Sequence, residues 1–140
     1  KSHYKGKFAL ESLYDELPFN KNYFDLILFH DSIEHFKHPE KALKNLSTVL
    51  KIGGKICVST INYANPLWWV LENTWHRVVA GNCRTFSKDT HPTRYTGELL
   101  QQHCNRYFDE IELGKKIFGM ELIYLGQKLA KEKKWVGKRK

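Results

Sequence analysis

No apolar run in this 140-residue chain approaches the ~20 residues that a membrane-spanning helix needs. There is no methionine at its start, and the residues from Lys1 onward lack the apolar core of a signal peptide. Cysteine is scarce: Cys57, Cys83 and Cys104 are odd in number and widely spaced, and no C-x-x-C occurs. That argues against a disulfide framework or a zinc ribbon and points to a reducing, cytoplasmic compartment. Cys57 sits in an apolar run and reads as a small core residue. No internal repeat is present. With 41% hydrophobic and 27% charged residues, the chain has the composition of one globular domain with a real core.

An excess of charge of one sign is missing from most of the chain. The net charge is +8, but Lys128 to Lys140 contains seven basic residues and one acid, Glu132. The other 127 residues carry only +2. A basic tail suits nucleic acid or an anionic membrane, and equally a solvated C-terminus. The near-balanced body argues against nucleic acid as the partner.

Phe24 to Phe29, "FDLILF", suits a strand covered on both faces, as in parallel sheets. Asn20-Lys21-Asn22 before it is a turn, and Leu17 before Pro18 is extended. Pro39 opens a helix, where its missing N–H costs nothing. Ala42, Leu43, Leu46, Val49 and Leu50 then form one apolar face. Gly53-Gly54 is expected to end that helix. Ile56 to Thr60 is the next strand, giving a βαβ unit. A second helix is expected from Pro66 through Val79, stopped by Gly81-Asn82, and a polar loop from Ser87 to Thr96. Thr96 reads as the N-cap of a helix to about His103. Strands at Phe108–Leu113 and Glu121–Lys128, joined through Gly114 and Gly119, form an antiparallel hairpin.

Polar groups crowd the end of the first strand: His30, Asp31, Glu34, His35 and His38. A metalloprotease helix needs H-E-x-x-H or H-x-x-E-H, whereas His30 to His35 reads one residue too long. Pro39 also starts a new helix directly afterwards. Position is more telling, because ligands of open parallel sheets bind beyond the carboxyl ends of the strands. If the turn there is helical, Asp31 and His35 are i, i+4 neighbours. Asp31, Glu34 and His35 then make a mixed set of oxygen and nitrogen donors tolerable for Mg, Mn or Zn. The plain alternative is a helix-complementing Glu34 and a packed His35; His38 simply precedes the helix.

Leu17 to Thr60 resembles class I S-adenosylmethionine-dependent methyltransferases of the small-molecule type that includes the ubiquinone-biosynthesis O-methyltransferases. The resemblance is carried by Leu17-Pro18-Phe19, Phe24-Asp25, Glu34-His35 and Leu50-Lys51-Ile52-Gly53-Gly54, in the family's order and spacing. Ile52 replaces the proline of the family's LKPGG. The resemblance implies an α/β, Rossmann-like sheet of order 3-2-1-4-5-7-6, here incomplete. Strand three would be Lys7 to Leu10, strand four Leu26 to Phe29 and strand five Ile56 to Thr60. The antiparallel hairpin would be strands six and seven. The implied cofactor is S-adenosyl-L-methionine, with His30 and Asp31 near its methionine part and Glu11, Ser12 or Asp15 near its adenine. The acid-x-x-Glu-His pattern has been linked to a divalent ion in some members, including enzymes that methylate RNA ribose ends. Here that implies Asp31, Glu34 and His35, with His76 or His91 as further candidates, and His35 with Glu34 as the catalytic pair.

The family's glycine-rich cofactor loop is absent, and no G-x-G occurs in the chain. We therefore expect residues 1–127 to be a truncated methyltransferase domain with a lid-like insertion at about 62–95, followed by a basic tail, 128–140. Without strands one and two, strand four is expected to be an open apolar edge. The insertion carries Trp68, Trp69, His91 and Tyr95 as candidate lining of an acceptor pocket; Trp68 and Trp75 share a helix face. These tryptophans serve equally as core packing. Three functions stand: small-molecule methyl transfer within a longer enzyme, RNA methylation, or a non-enzymatic partner module.

Overall fold

The computed structural model describes residues 12–74 and 90–130. Strand β1, Phe24–Phe29, leads through a single 3-10 turn, Ile33–His35, into helix α1, Pro39–Val49. Strand β2, Leu50–Ile61, follows directly, then helix α2, Pro66–Asn73. Helix α3, Gly97–Cys104, and strands β3, Phe108–Lys116, and β4, Glu121–Lys128, complete the described elements. The strand order is β1-β2-β4-β3. β1 and β2 are parallel; β4 runs antiparallel to both of its neighbours. This is the 4-5-7-6 part of the expected order. The proposed third strand, Lys7 to Leu10, lies outside the described residues, as do Trp75, His76, Glu11 and Val79.

The two strands closing the chain and the helix before them follow the sequence closely. Thr96 caps α3 by accepting from the Leu99 N–H, and Pro66 begins α2 behind Asn65, whose side chain accepts from the Leu67 N–H. The second strand does not follow it. Gly53-Gly54 was expected to cap α1, yet the helix ends at Val49 and Leu50 is already extended, paired with Phe24. The register then slips. Leu26 lies opposite Lys55, so β2 spends five residues where β1 spends two. Gly53 takes φ +78 within this bulge, the conformation a glycine there supplies. Gly54 fits where a Cβ would stand 2.9 Å from the Lys51 carbonyl oxygen and 3.1 Å from that of Asp25. The glycines shape the strand instead of ending the helix.

One sheet face holds the core. Ile56, Val58 and Thr60 of β2 and Leu122 and Tyr124 of β4 are fully buried there, with Leu43 of α1 and Leu100 of α3. The opposite face is largely open. Leu26 and Leu28 of β1 are 54% and 71% exposed, against the expectation of a strand covered on both faces. Among the described residues β1 is the sheet edge, so its apolar row is the open edge the sequence predicts. Lys128, assigned to the basic tail, instead belongs to the fold. Its ammonium donates to the Asn22 side chain at 2.9 Å and the Leu50 carbonyl at 2.8 Å.

Gly54→Ala forces a methyl against two fixed carbonyls. It should lower stability by about 1–3 kcal/mol, as overpacking does, measured by urea unfolding.

Candidate functional site

The carboxyl ends of β1 and β2 lie side by side, and two adjacent hydroxyls of β2 organise the polar groups there. Ser59 serves the residues just after β1. Its backbone carbonyl accepts from the Asp31 N–H at 3.2 Å, and its hydroxyl donates to Asp31 Oδ1 at 3.1 Å. The same hydroxyl meets His30 Nδ1. His30 Nε2 lies 3.2 Å from Asp31 Oδ2, and Glu121 at the start of β4 completes a solvent-facing group with these two. Asp31 has φ +41, a strained value for a non-glycine residue at the head of the turn.

Thr60 serves a second group, in which Glu34 and His91 are buried and His35 is exposed. Its hydroxyl donates to Glu34 Oε2 at 2.9 Å, and Glu34 is only 1% exposed. Glu34, His35 and His91 each bring a ligand-capable atom within 4.8 Å of the others. The two imidazole rings meet edge to face at 4.6 Å. His35 Nδ1 is 2.7 Å from the Thr90 carbonyl oxygen. A carbonyl only accepts, so that nitrogen carries a proton and neutral His35 keeps its lone pair on Nε2. His91 Nδ1 pairs with the Tyr63 hydroxyl at 2.6 Å. The Arg94 guanidinium stands 4.8 Å over the Tyr63 ring, a cation–π contact that fixes the phenol.

The electrostatics favour neutral groups. Burial raises the Glu34 carboxyl above the usual carboxylate range, against its hydrogen bonds. Burial also lowers His91, helped by the charges of His35 and Arg94. Burial pushes the Tyr63 phenol up to about 12, so it keeps its proton at neutral pH.

The grouping differs from the sequence reading in one respect. Asp31 does not join Glu34 and His35; His91 takes that place. Asp31 and His35 would be i, i+4 partners only in a continuous helix, and the positive φ of Asp31 breaks it. Successive side chains of a strand also point to opposite faces, so Ser59 and Thr60 hold the two groups apart. His91 arrives from a remote segment. The Thr93 N–H donates to the Glu34 carbonyl, the Thr93 hydroxyl to that of Phe36, and the Tyr63 N–H to that of Tyr95. These bonds lay residues 90–95 over the turn. Ser12 lies away from these groups in sequence and accepts from the Tyr14 N–H. Of the suggested pocket residues, Tyr95 is wholly buried in the core, its hydroxyl 3.0 Å from His103 Nδ1. Trp68 donates from Nε1 to the Met120 carbonyl, while Trp69 is 69% exposed. Ser59, Thr60 and Tyr63 went unremarked in the sequence; a hydroxyl pair closing a core strand was the available signal.

A family model for a methyltransferase domain matches residues 2–58. The chain is 24% identical over 126 residues to the ubiquinone/menaquinone biosynthesis C-methyltransferase UbiE of Francisella tularensis subsp. novicida, covering 80% of this chain and 50% of that protein. It is 28% identical over 125 residues to the UbiE of Neisseria meningitidis, covering 81% and 51%. Together these matches support a class I S-adenosylmethionine-dependent methyltransferase. It spans about half the length of these relatives. Its fold matches that of a Thermotoga maritima methyltransferase, described as a possible histamine N-methyltransferase, with TM-score 0.62 at 20% identity over 84% of this chain and 62% of that one. By that likeness β1 and β2 correspond to the fold's strands four and five, and both polar groups lie at the carboxyl end of these parallel strands.

The raised Glu34 pKa sets a stability trend. Its contribution is complete below about pH 4.5 and is lost as pH rises through the raised folded value. Glu34→Gln keeps an acceptor for Thr60 and removes the ionisation. By calorimetry its melting temperature should exceed that of the unmodified chain by a few degrees at pH 7.5 and match it at pH 3.5.

Proposed function

We propose that the chain forms part of an enzyme that transfers the methyl group of S-adenosylmethionine to a small-molecule acceptor. The observation that carries this reading is a buried carboxylate beside two imidazoles at the carboxyl end of the parallel strands. In methyl transfer the carbon–sulfur bond breaks as the bond to the nucleophile forms, in line, and the cofactor supplies the leaving group. The protein must align the partners and remove a proton from an oxygen nucleophile. His35 is suited to that, since its Nε2 lone pair is free of the Thr90 contact. Glu34 then stabilises the imidazolium that forms. The same step serves a phenol that reacts at oxygen or at a ring carbon, because the phenolate activates both. The UbiE relatives are described as C-methyltransferases. His30 and Asp31, exposed and tied to Ser59, fit the polar methionine end of the cofactor.

A divalent ion also fits the Glu34, His35 and His91 group. Glu34, His35 and His91 supply one oxygen and two nitrogen donors, each oriented from behind by Thr60, the Thr90 carbonyl and Tyr63. Bound there, an ion would stabilise an acceptor oxyanion directly. The near-balanced charge outside Lys128 to Lys140 favours a small molecule over RNA.

In the full-length protein, Glu34→Ala and His35→Ala should each lower kcat about 10²- to 10⁴-fold with a panel of phenolic acceptors. The KM for S-adenosylmethionine should change little, because the cofactor group is separate. Unchanged turnover would sink both the base and the ion readings. Sensitivity to EDTA separates the two, and transfer to RNA but to no phenol overturns the small-molecule acceptor.

A further inference from the structure

The hairpin between β3 and β4 ends in an unusual turn. Its two central residues, Ile117 and Phe118, take φ +50 and +55. Paired positive values mark the mirror-image hairpin turns, where asparagine and glycine are the favoured residues. A β-branched and an aromatic residue there are strained, and neither side chain is buried in return. Ile117 is 64% exposed and Phe118 91%.

The tip is nonetheless held firmly. The Phe118 carbonyl accepts from Asn65 Nδ2 at 2.9 Å and the Gly119 carbonyl from Asn62 Nδ2 at 2.7 Å. The Met120 carbonyl accepts from the Asn62 N–H and from Trp68 Nε1. Three successive carbonyls thus tie the tip to the loop after β2 and to the first turns of α2. That helix buries none of its residues, and Trp69 and Val70 stand exposed beside the anchored Trp68. The result is a rigid, convex apolar end on the sheet, flanked in sequence by the exposed Lys115 and Lys116. Glu121 lies opposite Lys116 and offsets one of the two charges. Neither the methyl-transfer chemistry nor the core uses these residues.

We propose that this end of the molecule, Ile117 and Phe118 with Trp69 and Val70, seats on an anionic membrane surface. Apolar side chains that cover a convex tip suit the boundary between headgroups and acyl chains, where tryptophan is favoured. Lysines directly beside the tip complement anionic headgroups, and the net charge of +8 draws the chain toward them. Because the hairpin is already fixed, insertion orders no new backbone. The tip lies at the carboxyl end of β2, so the seated protein would face its polar groups toward the membrane side. An acceptor that partitions into lipid would be met there. The inference rests on the surface and not on the proposed chemistry.

Sedimentation of the 140-residue chain with vesicles tests this. Vesicles of equal parts phosphatidylcholine and phosphatidylglycerol should bind it about tenfold more tightly than phosphatidylcholine alone. The double variant Ile117→Asp/Phe118→Asp should bind the mixed vesicles at least about tenfold more weakly, with an unchanged circular dichroism spectrum. Trp69→Phe should remove most of the blue shift in tryptophan fluorescence on binding. Deleting residues 131–140 should leave the tip dependence intact. The proposal fails if the chain does not sediment with mixed vesicles, or if binding survives the tip variant. It also fails if binding depends on 131–140 alone, or if the tip instead joins two copies in a dimer that the variant dissociates.

Discussion

The hydrogen bond from Thr60 to Glu34 is the constraint on which the polar centre depends. A carboxylate at 1% exposure without a donor would carry a large desolvation penalty. Thr60 supplies a donor from the central strand β2, and the Thr93 N–H meets the backbone of the same glutamate. One residue therefore connects the sheet, the turn after β1 and the remote segment 90–95. His35 and His91 are brought together by those attachments and not by their own contact. Removing the Thr60 hydroxyl would leave the burial in place and the carboxylate without this donor, a change felt at all three residues.

Placing two hydroxyls next to each other on β2 solves a problem of separation. Two polar groups of different exposure lie close together here, and their charges must not merge into one site. Alternation along the strand achieves this with no extra structure. Ser59 holds the exposed His30–Asp31 pair, where solvent screens charge. Thr60 holds the buried Glu34, where it does not. Burial disfavours the charged forms of Glu34 and His91, whereas the His30–Asp31 pair lies in solvent.

What the sequence displayed best was local. The apolar run of β1, the Pro39 helix, the Thr96 cap and the closing hairpin all follow from periodicity and capping chemistry within a few residues. The start of β2 was misread because Gly53-Gly54 has two uses, and only pairing with β1 decides between a helix cap and a strand bulge. Of the polar centre, Glu34 and His35 were legible from their position after a parallel strand. His91 was not singled out from His76, because hydrogen bonds made 57 residues away, from Thr93 to Phe36, deliver it. Asp31 was placed with the wrong partners for a backbone reason, a positive φ that no side-chain pattern advertises.

The strain at the hairpin tip and the strain at Asp31 differ in what surrounds them. Asp31 is held by Ser59 through backbone and side chain, and its conformation aims a carboxylate at His30. Local chemistry accounts for it. At Ile117 and Phe118 the surrounding bonds fix the backbone, but the side chains stay largely exposed. Folding alone would be served better by asparagine and glycine, which tolerate the turn and expose no apolar area. A strained, anchored and outward-facing apolar pair therefore implies a contact outside the chain, and the two lysines beside it specify the charge of what it meets.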